Sequence, residues 1–260
     1  MSALLAQTGD PTNFWQWMTD SSERTVTGDI PSQVWTTLWH SVLAFAIAAA
    51  IAIPLAAVLA HFRRAEVLST WLVNIGRLIP TVTIVAVFVL ISLRNGYGFE
   101  PWPIVIALVL LAIPPLYANT YTAVRDASPE AVGAARAMGL TELEILRQVE
   151  LPLATPLILA ASRVAITQVV ATEALAALFG GTGLGQYITF GIANRDIYEV
   201  QAGAILVAGL AITVDLVFWF VTRFLVPKPL RPAPSSHRAM KASRPTRSIA
   251  IPTPSLGGNP

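Results

Sequence analysis

Five apolar blocks, each long enough to cross a bilayer, constrain this chain more than any other feature it carries. They run roughly over residues 35–60, 67–93, 102–124, 153–179 and 200–225. A spanning helix needs about 20 mostly apolar residues, each adding about 1.5 Å. A soluble helical protein would need charge to cover its surface, typically about a quarter of its residues. Here only 12% are charged and the mean hydropathy is +0.61. The composition therefore predicts an all-α integral membrane protein with five transmembrane helices, located as a multi-pass protein in the cell membrane. Cysteine is absent, which excludes disulfides and thiolate metal sites.

The first thirty residues carry Asp10, Asp20, Glu23 and Asp29 and no basic segment ahead of an apolar core. No cleavable signal peptide is expected, and insertion relies on the first span. Orientation follows from the basic residues of the loops. With the amino terminus outside, the inner segments hold Arg63, Arg64, Arg125, Arg136, Arg147, Arg223 and the six lysines and arginines after Pro227, whereas the outer ones hold Arg24, Arg94 and Arg195. Twelve against three predicts amino terminus out and carboxyl terminus in. Residues 1–33 then form an extracytoplasmic segment and residues 34–226 the membrane domain. Residues 227–260, with eight prolines, six basic residues and no acid, read as a disordered cytoplasmic tail able to touch anionic lipid. Without interleaved aromatics the tail gives no reason to expect a nucleic-acid partner.

The inner loop between the third and fourth spans, residues 125–152, carries the densest local signals. Ser128-Pro129-Glu130 is a helix start, with a capping hydroxyl, a proline in the first turn and an acid near the positive end of the helix dipole. Gly139 supplies a stop, and Thr141-Glu142-Leu143-Glu144 fits a capping box that opens a second short helix. Pro152 ends that helix or opens the next span. Met138, Leu140, Leu143 and Leu146 sit among the charges. Such an element serves either to dock another protein or as an amphipathic linker on the membrane surface.

Four ionisable residues fall within the predicted spans, where charges normally face partners or water. Arg77, Arg163 and Asp215 each lie ten residues from the inner end of their span, about 15 Å deep. Equal depth predicts that Asp215 pairs with Arg163 or Arg77. Glu173 lies about 30 Å up, near the outer mouth. There it either attracts a cationic solute or caps a helix near the surface, and the solvated capping role is the expected one. His40 is expected to cap the outer end of the first span rather than bind metal. Gly180, Gly181, Gly183 and Gly185 permit a tight outer turn after the fourth span and close backbone approach. Their spacing is not that of a nucleotide-binding loop, and no Gly-x-x-x-x-Gly-Lys motif occurs elsewhere. No His-Glu-x-x-His pair or hydrolase constellation is recognisable, so no metal site and no enzymatic activity are expected.

The stretch GAARAMGLTELEILRQVELPLATP resembles the cytoplasmic loop of ABC importer permeases, with Ala134, Ala135, Gly139, Val149, Leu151 and Pro152 at the matching places. Leu140 follows the matched glycine, and Gly133 stands where the family usually has glutamate. The segments LWHSVLAFAIAAAIAIPLA, LVNIGRLIPT, ANTYTAVRDASPE and ALFGGTGLGQYITFGI are similar to permeases for glycine betaine, carnitine and choline. The resemblance implies a type I ABC importer permease fold in which residues 125–152 hold a coupling helix. It further implies a second permease subunit, ABC ATPase subunits that bind the ATP, and an extracytoplasmic solute-binding protein, with no cofactor on this chain. The translocation pathway is expected to include Arg77, Pro80, Thr81, Asn119, Glu173, Gly183 and Gly185, of which Arg77 and Glu173 are peculiar to this chain, and Arg163 and Asp215, which resemble family positions, are the candidate intramembrane ion pair. Two alternatives stay open: the same architecture importing another small solute such as methionine, and an ion channel.

Overall fold

The first helix starts where Pro31 sits in the first turn and the Ser32 hydroxyl and amide both donate to the Asp29 carbonyl, at 2.7 and 3.1 Å. The computed structural model describes residues 29–63, 81–99 and 101–225. Helix α1 (Ile30–His61) has 32 residues, about 48 Å of rod, which exceeds a hydrocarbon core of about 30 Å. Its buried face is a ladder of alanines four residues apart, Ala44, Ala48, Ala52, Ala56 and Ala60. Helix α3 (Trp102–Arg125) packs onto that ladder through Ile104, Val105, Leu108, Ala112 and Leu116. Between helices in lipid no hydrophobic force operates, and small residues that let backbones approach closely supply the contact. Pro114 and Pro115 inside α3 leave the carbonyls of Leu110 and Leu111 without their usual amide donors.

Helix α2 (Thr81–Arg94) has 14 residues and buries Val85 and Val89 beside Ala107 of α3. Residues 67–80 of the expected second span lie outside the described residues. Among the described residues, four helical runs are long and apolar enough to cross a membrane: Ile30–His61, Trp102–Arg125, Glu142–Phe179 and Ile197–Phe224. The expected second span is represented by a shorter apolar helix.

On the loop side, α4 (Pro129–Ala137) is followed by α5 (Glu142–Ile145), a π-turn (Leu146–Glu150) and α6 (Leu151–Glu173) without interruption. The second short helix is thus the first part of the long helical run Glu142–Phe179, not a separate element. The physical reason lies in Pro152. It has no amide to donate to Gln148, and its ring would crowd that carbonyl, so the backbone widens into an i→i+5 turn just ahead of it and continues.

Beyond α6 a 3-10 segment (Ala174–Phe179) closes on Gly180, whose φ is +83°. The glycines serve both expected ends, a tight turn and close backbone approach. The chain turns at Gly180–Gly183, but Gly185 opens a ten-residue helix, α7 (Gly185–Asn194), which buries Tyr187 completely. Helix α8 (Ile197–Leu225) follows, its start held by Asp196, whose Oδ1 accepts from the amides of Tyr198 and Glu199 at 2.9 and 3.2 Å. The outward faces of α6 and α8 expose Leu157, Val164, Ile212, Leu216, Phe220 and Phe224. That apolar exterior fits a lipid-embedded bundle.

Candidate functional site

The loop at residues 125–152 is built by the capping groups that its sequence carries. Ser128 Oγ accepts from the Ala131 amide at 3.3 Å, and Gly139 takes a left-handed φ of +86°. Thr141 and Glu144 form the reciprocal box, with the Thr141 amide donating to Glu144 Oε2 at 2.8 Å and the Glu144 amide to Thr141 Oγ1 at 3.4 Å. Arg136 donates to both Glu142 oxygens, at 2.9 and 3.0 Å, which closes the turn between α4 and α5. The Glu142 carboxylate bonded to it holds the Arg136 guanidinium pKa above its ordinary value. Ala135 and Ile145 are buried anchors beneath the turn. Above it, Met138 and Leu143 stand 73% and 63% exposed. Ala134 and Pro152 are exposed, whereas Leu140, Val149 and Leu151 are half-buried.

A Cβ on Gly133 would meet nothing within 4 Å. Gly133 has ordinary helical backbone, so Gly133→Ala should raise stability by about 0.5–1 kcal/mol through the unfolded chain alone. A thermal-denaturation midpoint that does not rise would show that α4 is strained at this position.

His61, the last residue of α1, is where sequence reasoning missed most. Its ring is buried, with Nδ1 2.7 Å from Glu150 Oε2 and Nε2 3.1 Å from Glu142 Oε2. The chain Arg136–Glu142–His61–Glu150 therefore joins α4, α5, α1 and the π-turn. A lone histidine in a sequence offers no sign of partners more than eighty residues away.

Within the membrane the Arg163 guanidinium, on α6, donates through Nε and Nη2 to the two oxygens of Asp215 on α8. The two side chains are 35% and 29% exposed. Arg77 and Pro80 lie outside the described residues, and Thr81 is described only as the first residue of α2. Asn119, exposed on α3, donates to the Pro115 carbonyl of its own helix at 2.7 Å.

At the end of the bundle opposite the loop, the expected solvated role of Glu173 is wrong. Glu173 is fully buried, and its Oε1 lies 3.2 Å from Nδ1 of the equally buried His40. His40 accordingly pairs with an acid instead of capping α1. Counting depth along a span says nothing of which neighbours close over a residue. The cover here is the glycine turn. The amides of Gly183 and Leu184 donate to Gln33 Oε1 and Thr37 Oγ1 of α1 at 2.7 and 2.9 Å. Gly183 has φ +106°, and a Cβ there would sit 2.6 Å from Thr37 Oγ1 and 2.9 Å from Glu173 Oε1. A Cβ on Gly185 would lie 2.0 Å from the Ala174 carbonyl oxygen. No cluster of metal-ligating side chains occurs among the described residues.

Residues 48–231 match the family model of the binding-protein-dependent transport system inner membrane component. The chain belongs to this family. Its relatives among inner membrane components include the choline transport system permease protein OpuBB of Bacillus subtilis, 30% identical over 77% of this chain and 90% of the relative. The carnitine transport permease protein OpuCD of Listeria monocytogenes is 32% identical over 76% of this chain and 87% of the relative. The osmoprotectant import permease protein OsmW of Salmonella typhimurium is 32% identical over 78% of this chain and 95% of the relative. Among solved structures, an inward-facing MetNI methionine ABC transporter superposes with a TM-score of 0.70 at 22% identity, covering 80% of this chain and all of that one. At that identity the likeness establishes the fold alone. As an inner membrane component, the protein is a transport permease with the type I ABC permease fold, and the channel alternative is set aside.

Proposed function

We propose that this chain is the pore subunit of an ABC importer that carries a small quaternary ammonium osmoprotectant, of the glycine betaine, choline or carnitine class, into the cytoplasm. The observation that carries the reading is the capped turn between α4 and α5. It is fixed by Ser128, Gly139, the Thr141–Glu144 box and the Arg136–Glu142 pair, and it presents Met138 and Leu143 to solvent. A rigid knob with two exposed apolar side chains suits insertion into a cleft of another protein better than it suits a passive linker. The names of the relatives supply the solute class. The methionine alternative rests on a structural likeness below the identity at which a substrate carries over.

In this reading five helices cross the membrane with the amino terminus outside. The loop meets an ABC ATPase through Ala134, Ala135, Gly139, Leu140, Val149, Leu151 and Pro152. ATP binds the ATPase, and this chain holds no cofactor and performs no chemistry of its own. A second permease subunit completes the pore, and an extracytoplasmic binding protein delivers the solute. Arg77, Pro80, Thr81, Asn119, Glu173, Gly183 and Gly185 belong to or border the path. ATP-driven closure of the ATPases displaces the loops and rocks the bundle, which moves access from one side to the other.

The deciding measurement is uptake by the reconstituted complex of radiolabelled glycine betaine, choline, carnitine and methionine. ATP-dependent accumulation of one of the first three supports the reading, and accumulation of methionine alone overturns the solute class. Replacing both knob residues, Met138→Ser with Leu143→Asp, should reduce co-purification of the ATPase by at least about tenfold, because buried apolar anchors dominate such contacts. Undiminished co-purification would move the docking surface elsewhere.

A further inference from the structure

We infer that His61 is a positioning residue that clamps the inner end of α1 to the cytoplasmic loop, so that displacement of the loop is delivered to α1 as well as to α6. The inference rests on the ATP-coupled reading above and extends it to a residue outside the loop.

Covalent continuity accounts for only one route out of the loop. Helix α5, the π-turn and α6 form one uninterrupted rod, so a push on α5 reaches the fourth span directly. Helix α1 has no such link. It precedes the loop by more than sixty residues, and its last turn meets the loop through side chains. His61 is the polar member of that contact. Its ring is almost completely buried and lies between two carboxylates, Glu150 at 2.7 Å on Nδ1 and Glu142 at 3.1 Å on Nε2. Ionised carboxylates only accept, so a ring carrying a proton on both nitrogens satisfies both partners at once. Glu142 is itself gripped by Arg136 from α4. The clamp thus spans every element of the loop.

The backbone is shaped for this grip. Glu142 and Glu150 are eight residues apart. In an unbroken α-helix, at about 100° per residue, they would diverge by roughly 80° around the rod. The π-turn over residues 146–150 holds an extra residue per turn and takes back most of that divergence, which brings both carboxylates to the same side, facing α1. π-turns inside helices often mark functional positions. Here the turn both accommodates Pro152 and aims the two acids. The surroundings are otherwise basic: Arg63, Arg125 and Arg136 line a cleft of about 140 Å³ together with His61 and Glu150. Loss of the imidazole would free the two carboxylates to turn toward these arginines, which removes the tie without unfolding the loop.

The test uses the full complex of this chain with its ATPase in proteoliposomes, with radiolabelled glycine betaine as the probe and ATP hydrolysis and uptake measured on the same vesicles. His61→Ala should assemble, continue to hydrolyse ATP, and import at least about tenfold less solute per ATP, a loss of the size that misplacement far from a reacting centre can produce. His61→Lys, with three donors on a flexible stem, should recover much of the ratio. Glu150→Gln combined with His61→Ala should be no worse than His61→Ala alone. A wild-type ratio in His61→Ala overturns the inference. So does a proportional fall of uptake and hydrolysis that lysine does not repair, which would mark His61 as merely structural. A wild-type complex without ATP-driven uptake of any of the three osmoprotectants or methionine overturns the importer reading itself, and the inference with it.

Discussion

Asp215→Ala should lower the yield of folded, transport-competent protein on the order of tenfold, and Arg163→Ala should do so comparably. Each removes one half of a two-bond ion pair between α6 and α8 and leaves the other charge unpaired at membrane depth, where charges normally need a partner. Stranding one charge is far costlier than removing both. A double replacement by leucine should therefore return most of the yield, and the exchanged pair, Arg163→Asp with Asp215→Arg, should return part of it. Monodispersity in detergent together with uptake measures both outcomes. Independent, multiplying losses in the double variants would mean that the two residues act separately. Because both side chains keep about a third of their surface open, a variant that folds normally yet loses uptake would instead place the pair beside the solute path.

The second large effect is expected at the outer turn. Gly185→Ala puts a methyl group 2.0 Å from the Ala174 carbonyl oxygen, with the Ala174 carbonyl carbon and Cα at 2.8 and 2.9 Å. All three are backbone atoms, so no side chain can swing away. Overpacking of this kind should cost about 3 kcal/mol or more. In a chain of this size that corresponds to a fall in Tm of roughly 6–12 °C. Gly209→Ala is the control, since a Cβ there meets nothing within 4 Å and should leave Tm unchanged or slightly raised. Equal behaviour of the two variants would mean that α7 is not seated against the end of α6 as described. Gly183→Ala should fall between them and act differently, by lifting the turn off Thr37 and opening the buried Glu173–His40 pair to water.

What could be read from the sequence was what depends on near neighbours along the chain. Ser128, Gly139 and the Thr141–Glu144 box act within four residues of themselves, and each forms the contact expected of it. The apolar blocks likewise announce the long helices, because a bilayer imposes length and composition directly. Glycine at residues 180–185 was ambiguous for a physical reason. The same residue that turns a chain also permits close seating of a helix, and here Gly183 does the first and Gly185 begins the second. The burial of Glu173, the clamp at His61 and the partner of His40 were hidden because all depend on which helices lie side by side. A count of residues along a span gives height in the membrane and no information about azimuth. The pairing of α6 with α8 through Arg163 and Asp215 was narrowed to two arginines by equal height, and the choice between them needed the bundle.

The alanine ladder of α1 has a consequence for how such a machine can move. A methyl group has no torsion to reset and no alternative rotamer in which to come to rest. On the α1 side of the seam nothing can therefore change rotamer, and a second fit would have to come from Ile104, Val105, Leu108 and Leu116 of α3 alone. Helices α1 and α3 are then expected to travel as a single plate. Whatever alternates between the open and closed forms of the path has to be found along the seams where longer side chains meet, and the α6–α8 boundary with its charged latch is one of those.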